Sequence, residues 1–273
     1  MTNNELGYYI TNGDEISKKY LLNQLKTEWL GKNIIFYKEI ESTQLIGMEL
    51  AKVGEAHGTI IIAESQTKGK GRLGRTWHSD IGKGIWLSII IRPDLSYLKA
   101  PLTTLYTSVM IKRALESLFN IDVKIKWPND IYLGNRKMGG ILTEIHGAKD
   151  NIDYMVIGIG LNIGRIDFPT EIKDKAISLY EKLGFSPKRE DIIIKLLELF
   201  ELNYREFEKI GFDSFYIEYN HSLLWKGEKV LVKNLNNYYD GYLEGIDNNG
   251  YLLIKTEKDN LIRLVSGEVE FIS

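Results

Sequence analysis

The chain alternates short apolar runs with polar, glycine-bearing connections, a pattern that predicts buried strands interleaved with helices. Apolar runs of strand length occupy residues 33–39, 59–63, 85–91, 123–126 and 155–159. Apolar positions at helical spacing occupy residues 101–119 and 189–209. The first of these stretches begins at Pro101 and the second ends before Gly211, which are common helix boundaries. The pattern therefore predicts an α/β protein.

Two shorter features complete this central part. A helix is predicted from Ser42 or Thr43 to residue 52 or 53, with Gly54 ending it. A hairpin is predicted from strands at 131–133 and 141–144, with residues 134–140 as the connection.

The N-terminal residues 1–30 are too few for an independent domain. We expect a short strand at 7–10 and a helix that starts at Asp14 or Ser17 and runs to Leu25. This part is therefore interpreted as an appendage docked on the main body.

The pattern of apolar and polar residues changes at Trp225. Short alternating runs occupy residues 229–232, 239–246, 251–256 and 261–265. Turn signals such as the DNNG at 247–250 separate them, which predicts a small antiparallel β-barrel. The predicted parts are thus residues 1–30, 31–224 and 225–273.

Composition excludes several classes of function. The formal net charge is −2, which is no whole-chain signature of nucleic-acid binding. The absence of cysteine excludes disulfides, thiolate nucleophiles and thiolate metal sites, and the four histidines lack ligand spacing. No apolar run approaches membrane-span length and the polar start is no signal peptide, so the cytoplasm is the expected compartment.

One loop concentrates the candidate chemistry. Residues 66–77, read as QTKGKGRLGRTW, contain three glycines and four cations and no acid. Glycines let backbone N–H groups face one way, and Lys and Arg add charge-assisted donors, a combination suited to phosphate or carboxylate. Alone, such a loop could equally be a solvated turn or a non-specific polyanion contact. The strand-like runs on both sides favour an anion-binding loop held by a rigid scaffold.

Further polar positions recur where predicted strands or helices end. Ser42 and Thr43 could be plain helix caps or could present hydroxyls and free N–H groups to a ligand. The WPND at 127–130 has turn chemistry, and the basic, glycine-flanked connection at 134–140 follows it. The GIGLN at 158–162 lacks the full glycine fingerprint and the ribose-binding acid of a dinucleotide fold, which we reject.

The order of these motifs resembles that of the biotin protein ligases. The matching elements are the STQ at 42–44, Gln66 ahead of GKGRLGRTW, the KWPND at 126–130, Arg136-Lys137 ahead of Gly140, and the GIGLN at 158–162. The resemblance covers essentially residues 34–273. It implies a catalytic domain with a mixed sheet and helices, related to class II aminoacyl-tRNA synthetases, followed by a Src-homology-3-type barrel.

The resemblance also implies a two-step reaction. Biotin and ATP with Mg²⁺ give biotinyl-5′-AMP, and a lysine of a biotin carboxyl carrier domain, of acetyl-CoA or pyruvate carboxylase, then takes the biotin. Cations and backbone N–H groups suit this chemistry independently, because a carboxylate must approach a polyphosphate. No Ser-His-Asp or Cys-His set is needed.

Roles carry over to matching positions. Biotin binding is implied for Ser42, Thr43, Gln44, Gln66, Lys70, Gly71, Arg72, Lys137 and Gly140. ATP binding is implied for Arg75, Lys126, Asn129 and Asn162, and either magnesium binding or anchoring of the loop for Asp130. Arg72 and Lys137 are the expected catalytic residues. Core packing is the expectation for Trp77 and Trp127.

Two departures from the family pattern stand out. Lys70 occupies a position where the family usually has Arg; it keeps the charge but loses the planar fork, so we expect a working site with altered phosphate geometry. Many such ligases begin with a helix-turn-helix domain, whereas residues 6–10 resemble only the last strand of its wing. We therefore expect a short ligase that does not bind operator DNA.

Two alternatives remain open at this stage. A lipoate ligase or acyltransferase shares the catalytic architecture, and a non-enzymatic ligand sensor could use the same loop. A homodimer is also open, because family members often pair through sheet edges.

Overall fold

The computed structural model describes residues 15–148 and 151–272, whose centre is a seven-stranded mixed sheet. Its strands are β1 (Ile34–Ile40), β2 (Ile60–Gln66), β3 (Gly84–Ile91), β4 (Lys124–Lys126), β5 (Asp130–Leu133), β6 (Arg136–Ala148) and β7 (Asn151–Asn162). Their spatial order is β1-β2-β3-β7-β6-β5-β4. β1 and β2 are parallel and every other neighbouring pair is antiparallel, so the expected mixed sheet is confirmed.

The middle strands are buried on both faces. In β2, Ile60 and Ile62 enter the main core, whereas Ile61 packs in a second cluster with Ile90 and Val156. Successive side chains of a strand point to opposite faces, so a strand covered on both sides needs apolar residues at every position. This explains the unbroken apolar runs in the sequence.

The described residues form six α-helices. They are α1 (Lys18–Gln24), α2 (Thr43–Lys52), α3 (Leu102–Phe119), α4 (Leu179–Leu183), α5 (Arg189–Ile210) and α6 (Asp213–Ser222). The helix α2 lies over the second cluster, and α3 packs on α5 in the main core. An aromatic group centred on Tyr106, with Phe200 and Phe207 around it, joins these two helices. None of the described helices has the length and apolarity that a bilayer span requires.

The described part of the N-terminal segment packs against the main body. Ser17 caps α1 by accepting a hydrogen bond from the Tyr20 N–H at 3.2 Å. Leu21 and Leu30 are fully buried in the main core. The strand expected at 7–10 and the alternative cap Asp14 lie outside the described residues.

One sequence-based prediction in the central part is wrong, and one helix there was not predicted. Residues 134–140 were expected to connect a hairpin, but β6 already begins at Arg136, so Lys137 and Gly140 are strand residues. The helix α4 was not predicted, although Ser178 and Glu181 form the capping box that announces it.

The C-terminal part is a five-stranded antiparallel sheet. Its strands are β8 (Lys229–Asn234), β9 (Asn237–Ile246), β10 (Leu252–Lys255), β11 (Leu261–Leu264) and β12 (Glu268–Phe271), in the order β11-β10-β9-β8-β12. The first four match the predicted runs, and β12 was not predicted. The Trp127 indole N–H donates to the Gly250 carbonyl at 2.9 Å, and Asn220 Oδ1 accepts from the Ile246 N–H at 2.9 Å. Buried hydrogen bonds thus join the C-terminal part to a turn and a helix of the central part.

Asn220→Ala should lower the free energy of unfolding by about 1–3 kcal/mol, because the buried Ile246 N–H then has no acceptor. Urea unfolding measures this change. Asn248→Ala, at an exposed position in the nearby turn, is the control and should stay within about 0.5 kcal/mol of the unchanged chain. Equal effects of the two substitutions would contradict the assigned role of Asn220.

Candidate active site

One pocket of about 590 Å³ gathers the residues singled out in the sequence. It lies between the start of α2, the glycine-rich loop at 67–83, strands β5–β7 and the start of β12. The predicted residues that line it are Ser42, Thr43, Gln44, Gln66, Lys70, Gly71, Arg72, Arg75, Lys126, Asn129, Asp130, Lys137, Gly140 and Asn162. Every predicted site residue therefore reaches the same cavity, and its size suits a small-molecule ligand.

The glycine-rich loop folds back on itself. Isolated bridges pair Gln66 with Ser79 and Lys70 with Thr76. A Cβ at Gly69 would lie 2.3 Å from the Trp77 carbonyl oxygen, so only glycine allows the two arms to approach this closely. The loop is held as a narrow double strand whose tip carries Arg72.

The WPND turn holds two cations side by side. Arg72 Nη1 donates to Asn129 Oδ1 at 2.7 Å, and Lys137 Nζ lies 2.7 Å from Asp130 Oδ1. Asn129 is itself fixed, because its Nδ2 donates to the Ile141 carbonyl at 3.0 Å. Two neighbouring residues of one turn thereby place an arginine from the loop and a lysine from β6 in the same cavity.

A carboxylate from the C-terminal sheet pairs with one of the pocket cations. Arg75 forms an ion pair with Glu268 at the start of β12. Burial would raise the pKa of Glu268, but the hydrogen bond and charge of Arg75, with Lys126 and Arg72 nearby, hold that pKa below its usual range. Burial lowers the pKa of Arg72, although Asp130 and Glu268 act in the opposite direction.

Lys126 sits among aromatic rings. Its Nζ lies 5.7 Å from the Tyr132 ring centroid and 5.2 Å from that of Trp225. Burial lowers its pKa, and Asp130 opposes the shift. These contacts hold the ammonium in the lining of the pocket, where its charge acts on Glu268.

Glycines in the sheet form the pocket floor. A Cβ at Gly158 would lie 2.5 Å from Gln44 Oε1, and a Cβ at Gly160 would lie 2.6 Å from Trp77 Nε1. Both side chains therefore rest directly on β7. The Trp77 ring also lies 5.2 Å from Lys137 Nζ, and its buried indole N–H has no hydrogen-bond partner among the described residues. Trp77 is thus a wall of the pocket, contrary to the core packing expected for it.

Trp127 meets its expectation. Its side chain is buried in the main core, with the indole N–H bonded to Gly250.

At the start of α2, Thr43 and Gln44 form hydrogen bonds with described residues, whereas the Ser42 side chain does not. The Thr43 N–H and hydroxyl both donate to Gln66 Oε1, at 2.8 and 3.1 Å. The Gln44 amide donates to the Val156 carbonyl at 3.0 Å. Ser42 occupies the N-cap position but makes no side-chain cap bond, and its buried hydroxyl has no partner among the described residues. A buried hydroxyl without a partner is costly unless a ligand bonds it.

Comparisons with known proteins agree with this geometry. Residues 38–162 match the biotin/lipoate A/B protein ligase family and residues 227–272 match the biotin protein ligase C terminal domain. The bifunctional ligase/repressor BirA of Bacillus spizizenii is 36% identical over 258 residues, which cover 94% of this chain and 79% of that protein. The chain belongs to the biotin protein ligase family. It is accordingly a biotin ligase enzyme.

Other members of the biotin protein ligase family extend the comparison. The BirA of Escherichia coli is 27% identical and aligns over 94% of this chain and 78% of its own length. The biotin protein ligase of Aquifex aeolicus, solved in complex with biotin and ATP, superposes with a TM-score of 0.76 at 33% identity, over 88% of this chain and 99% of that chain. The mixed catalytic sheet and the C-terminal antiparallel sheet are therefore those of a biotin protein ligase.

Asp130 is the residue for which magnesium binding is predicted. Among residues 15–148 and 151–272, no three His, Cys, Asp or Glu side chains are grouped as metal ligands. The Asp130 carboxylate is already the counter-ion of Lys137. Magnesium binding at Asp130 stays a prediction.

Sequence reasoning missed Glu268, which lines the pocket, and Ser88, which contacts two lining residues without lining the pocket itself. The Ser88 hydroxyl lies 2.9 Å from Thr43 Oγ1 and 3.2 Å from Gln44 Oε1 and can donate its one hydrogen to either; its only signal was a lone hydroxyl in an apolar strand. Glu268 reaches the pocket from another sheet and carried no local signal.

Glu268→Gln should remove a pH-dependent contribution to stability. Because the folded-state pKa of Glu268 is depressed, its contribution is present above the ordinary glutamate value of about 4.3 and is lost as the pH falls through the folded value. Arg75 is 66% exposed, so we expect less than about 1 kcal/mol. Urea unfolding of both proteins between pH 7 and pH 3 measures the difference.

Glu244→Gln, at an exposed position in β9, is the matched control and should show a smaller pH-dependent difference. A difference for Glu268→Gln that stays constant from pH 7 to pH 3 would refute the contribution of the carboxylate charge.

Proposed function

We propose that this enzyme forms biotinyl-5′-AMP from biotin and ATP and then transfers the biotinyl group to a lysine of a biotin carboxyl carrier domain. The observation that carries the proposal is the convergence of Arg72 and Lys137, each anchored to the WPND turn, in a pocket that also contains Lys70 and Arg75. Such a cluster suits a reaction that joins a carboxylate to a polyphosphate.

In the first step, a carboxylate oxygen of biotin attacks the α-phosphorus of ATP and pyrophosphate leaves. Both reactants are anions, so their approach must be made favourable by positive charge already in place. Arg72, Lys70 and Lys137 would bind the carboxylate and the α-phosphate and stabilise the charge that develops at phosphorus. Arg75 would bind the leaving pyrophosphate in exchange for Glu268.

In the second step, the amine of the carrier lysine attacks the carbonyl carbon of the mixed anhydride and AMP leaves. The same cations would stabilise the phosphate of the departing AMP. Acetyl-CoA carboxylase and pyruvate carboxylase supply the carrier domains that we propose as partners, as the family resemblance implies.

The start of α2 is the proposed binding site for the ureido ring of biotin. The unpartnered Ser42 hydroxyl is available to a ligand, whereas Thr43, Gln44 and Gln66 are bonded to one another or to the sheet and would shape that end of the pocket. Gly140 leaves room beside Lys137, since a Cβ there would lie 3.4 Å from Lys137 Nζ.

The nucleotide would lie toward the other end. Asn162 and Lys126 are the proposed adenosine contacts, and Asn129 is assigned to the same group although its oxygen already binds Arg72. Magnesium would enter with the ATP phosphates, whose charge it neutralises, and Asp130 is the carboxylate proposed to be near it.

Pyrophosphate exchange tests the first step. Radiolabelled pyrophosphate should enter ATP when biotin and magnesium are present and should not do so when lipoate replaces biotin. Exchange with lipoate alone would favour the lipoate ligase, and exchange with neither acid would favour the ligand sensor. Transfer to a purified carrier domain, followed by mass spectrometry, tests the second step.

Arg72→Ala and Lys137→Ala should each reduce the exchange rate by about 10²-fold or more, the usual effect of losing one transition-state donor. Lys68→Ala is the matched control, because Lys68 lies in the same loop but is exposed and paired with Glu41 at 2.7 Å. If Arg72→Ala or Lys137→Ala exchanged pyrophosphate as fast as Lys68→Ala and the unchanged chain, the catalytic role assigned to that residue would be refuted.

A further inference from the structure

We propose that Arg189 and Glu64 are positioning residues that lock the two ends of the glycine-rich loop, and that this lock slows release of the adenylate. The inference rests on the proposed function. Neither residue lines the pocket, and neither takes part in the chemistry above. Their side chains are 6% and 1% exposed, which makes this the most deeply buried ion pair among those within residues 15–148 and 151–272.

The pair bridges the two strands between which the loop is suspended. Arg189 Nη1 lies 2.9 Å from Glu64 Oε2, and Arg189 Nη2 donates to Glu64 Oε1 at 3.1 Å. Arg189 Nη1 also donates to the Gly84 carbonyl at 3.1 Å. Glu64 lies two residues before Gln66, where the chain leaves β2, and Gly84 is the first residue of β3, where it returns. One guanidinium therefore fixes both ends of the loop.

The lock is itself anchored. Arg189 is the first residue of α5, so its backbone is fixed by a 22-residue helix in the main core. Glu64 also accepts a hydrogen bond from the Ile16 N–H, and the next N–H, of Ser17, donates to Glu190 Oε1 at 3.0 Å. The described N-terminal segment thereby closes over the ion pair and keeps it from water.

A continuous set of contacts leads from the lock to the cations. A Cβ at Gly84 would lie 2.3 Å from the Trp86 ring, so this ring rests on the Gly84 backbone. Trp86 meets Trp77 edge to face with 6.5 Å between ring centroids, and Trp77 lies beneath Lys137. A shift of the β3 end would move this aromatic pair and the lysine with it.

Burying a charged pair is unfavourable unless its geometry and hydrogen bonds are nearly complete, and an apolar pair often stabilises a fold as well. The fork of Arg189 does what an apolar pair could not, because it binds a carboxylate on one strand and a carbonyl on the next. A lysine would keep the charge but not the planar fork.

The test compares Arg189→Lys and the double variant Glu64→Gln/Arg189→Gln with the unchanged chain. Arg189→Lys keeps the charge balance of the buried pair. The double variant removes both charges, so neither variant leaves a buried charge unpaired. Arg113→Gln is the control, because Arg113 pairs with Glu218 at 2.7 Å between α3 and α6, away from the loop. Biotinyl-AMP is formed on each full-length protein and its dissociation is followed after a chase with unlabelled ligand, well below every unfolding midpoint.

We expect both lock variants to release biotinyl-AMP at least about 10-fold faster and to require more ATP for half-maximal exchange, since small displacements of positioning groups have effects of this size or larger. Arg113→Gln should lower the unfolding temperature and leave release within about twofold. Release at the unchanged rate from either folded lock variant overturns the proposal, whatever its stability. If the unchanged chain forms no adenylate, the proposed function fails instead.

Discussion

The mutual repulsion of clustered cations is the constraint on which this structure depends. The pocket is lined by the cations Lys70, Arg72, Arg75, Lys126, Lys137 and Lys175, and repulsion is strongest for those that are partly buried, such as Arg72 and Lys126. Four carboxylates, Asp130, Glu171, Glu268 and Glu270, also line it, so the cations are balanced only in part. The remaining positive potential is what an anionic ligand meets on entry.

The scaffold keeps these groups in place through close backbone approach. Most of the cations come from the glycine-rich loop, the end of β4 and the start of β6, and Arg72, Arg75 and Lys137 are each paired with a neighbouring side chain. Glycines at 158 and 160 let a glutamine and a tryptophan lie directly on the sheet. A sheet buried on both faces cannot adjust locally, so the donors are aimed before a ligand arrives.

Sequence patterns were sufficient for most elements, and the family resemblance supplied the residues that line the pocket, for identifiable reasons. Unbroken apolar runs marked the strands because both faces of the sheet are covered. The start of β6 was misread because strand residues there carry the charges and glycines typical of a connection; these residues face a cavity. Local composition could not distinguish a pocket-lining strand from a turn.

Contacts between residues that lie far apart in the sequence were the other features that could not be predicted. Arg189 and Glu64 are 125 positions apart, and Glu268 meets Arg75 from a different sheet. Each residue alone looks like an ordinary charged surface position. Only the fold brings such partners together, and the periodicity and spacing of a single sequence do not indicate which distant residues will pair.

The ion pair between Arg75 and Glu268 has a thermodynamic consequence. An anion that binds Arg75 competes with the carboxylate that ties the loop to the C-terminal sheet. The two effects are thermodynamically linked. The Arg75–Glu268 contact weakens anion binding by the same free energy by which a bound anion weakens that contact. Arg75 is thus the loop cation for which a bound anion and the C-terminal sheet compete.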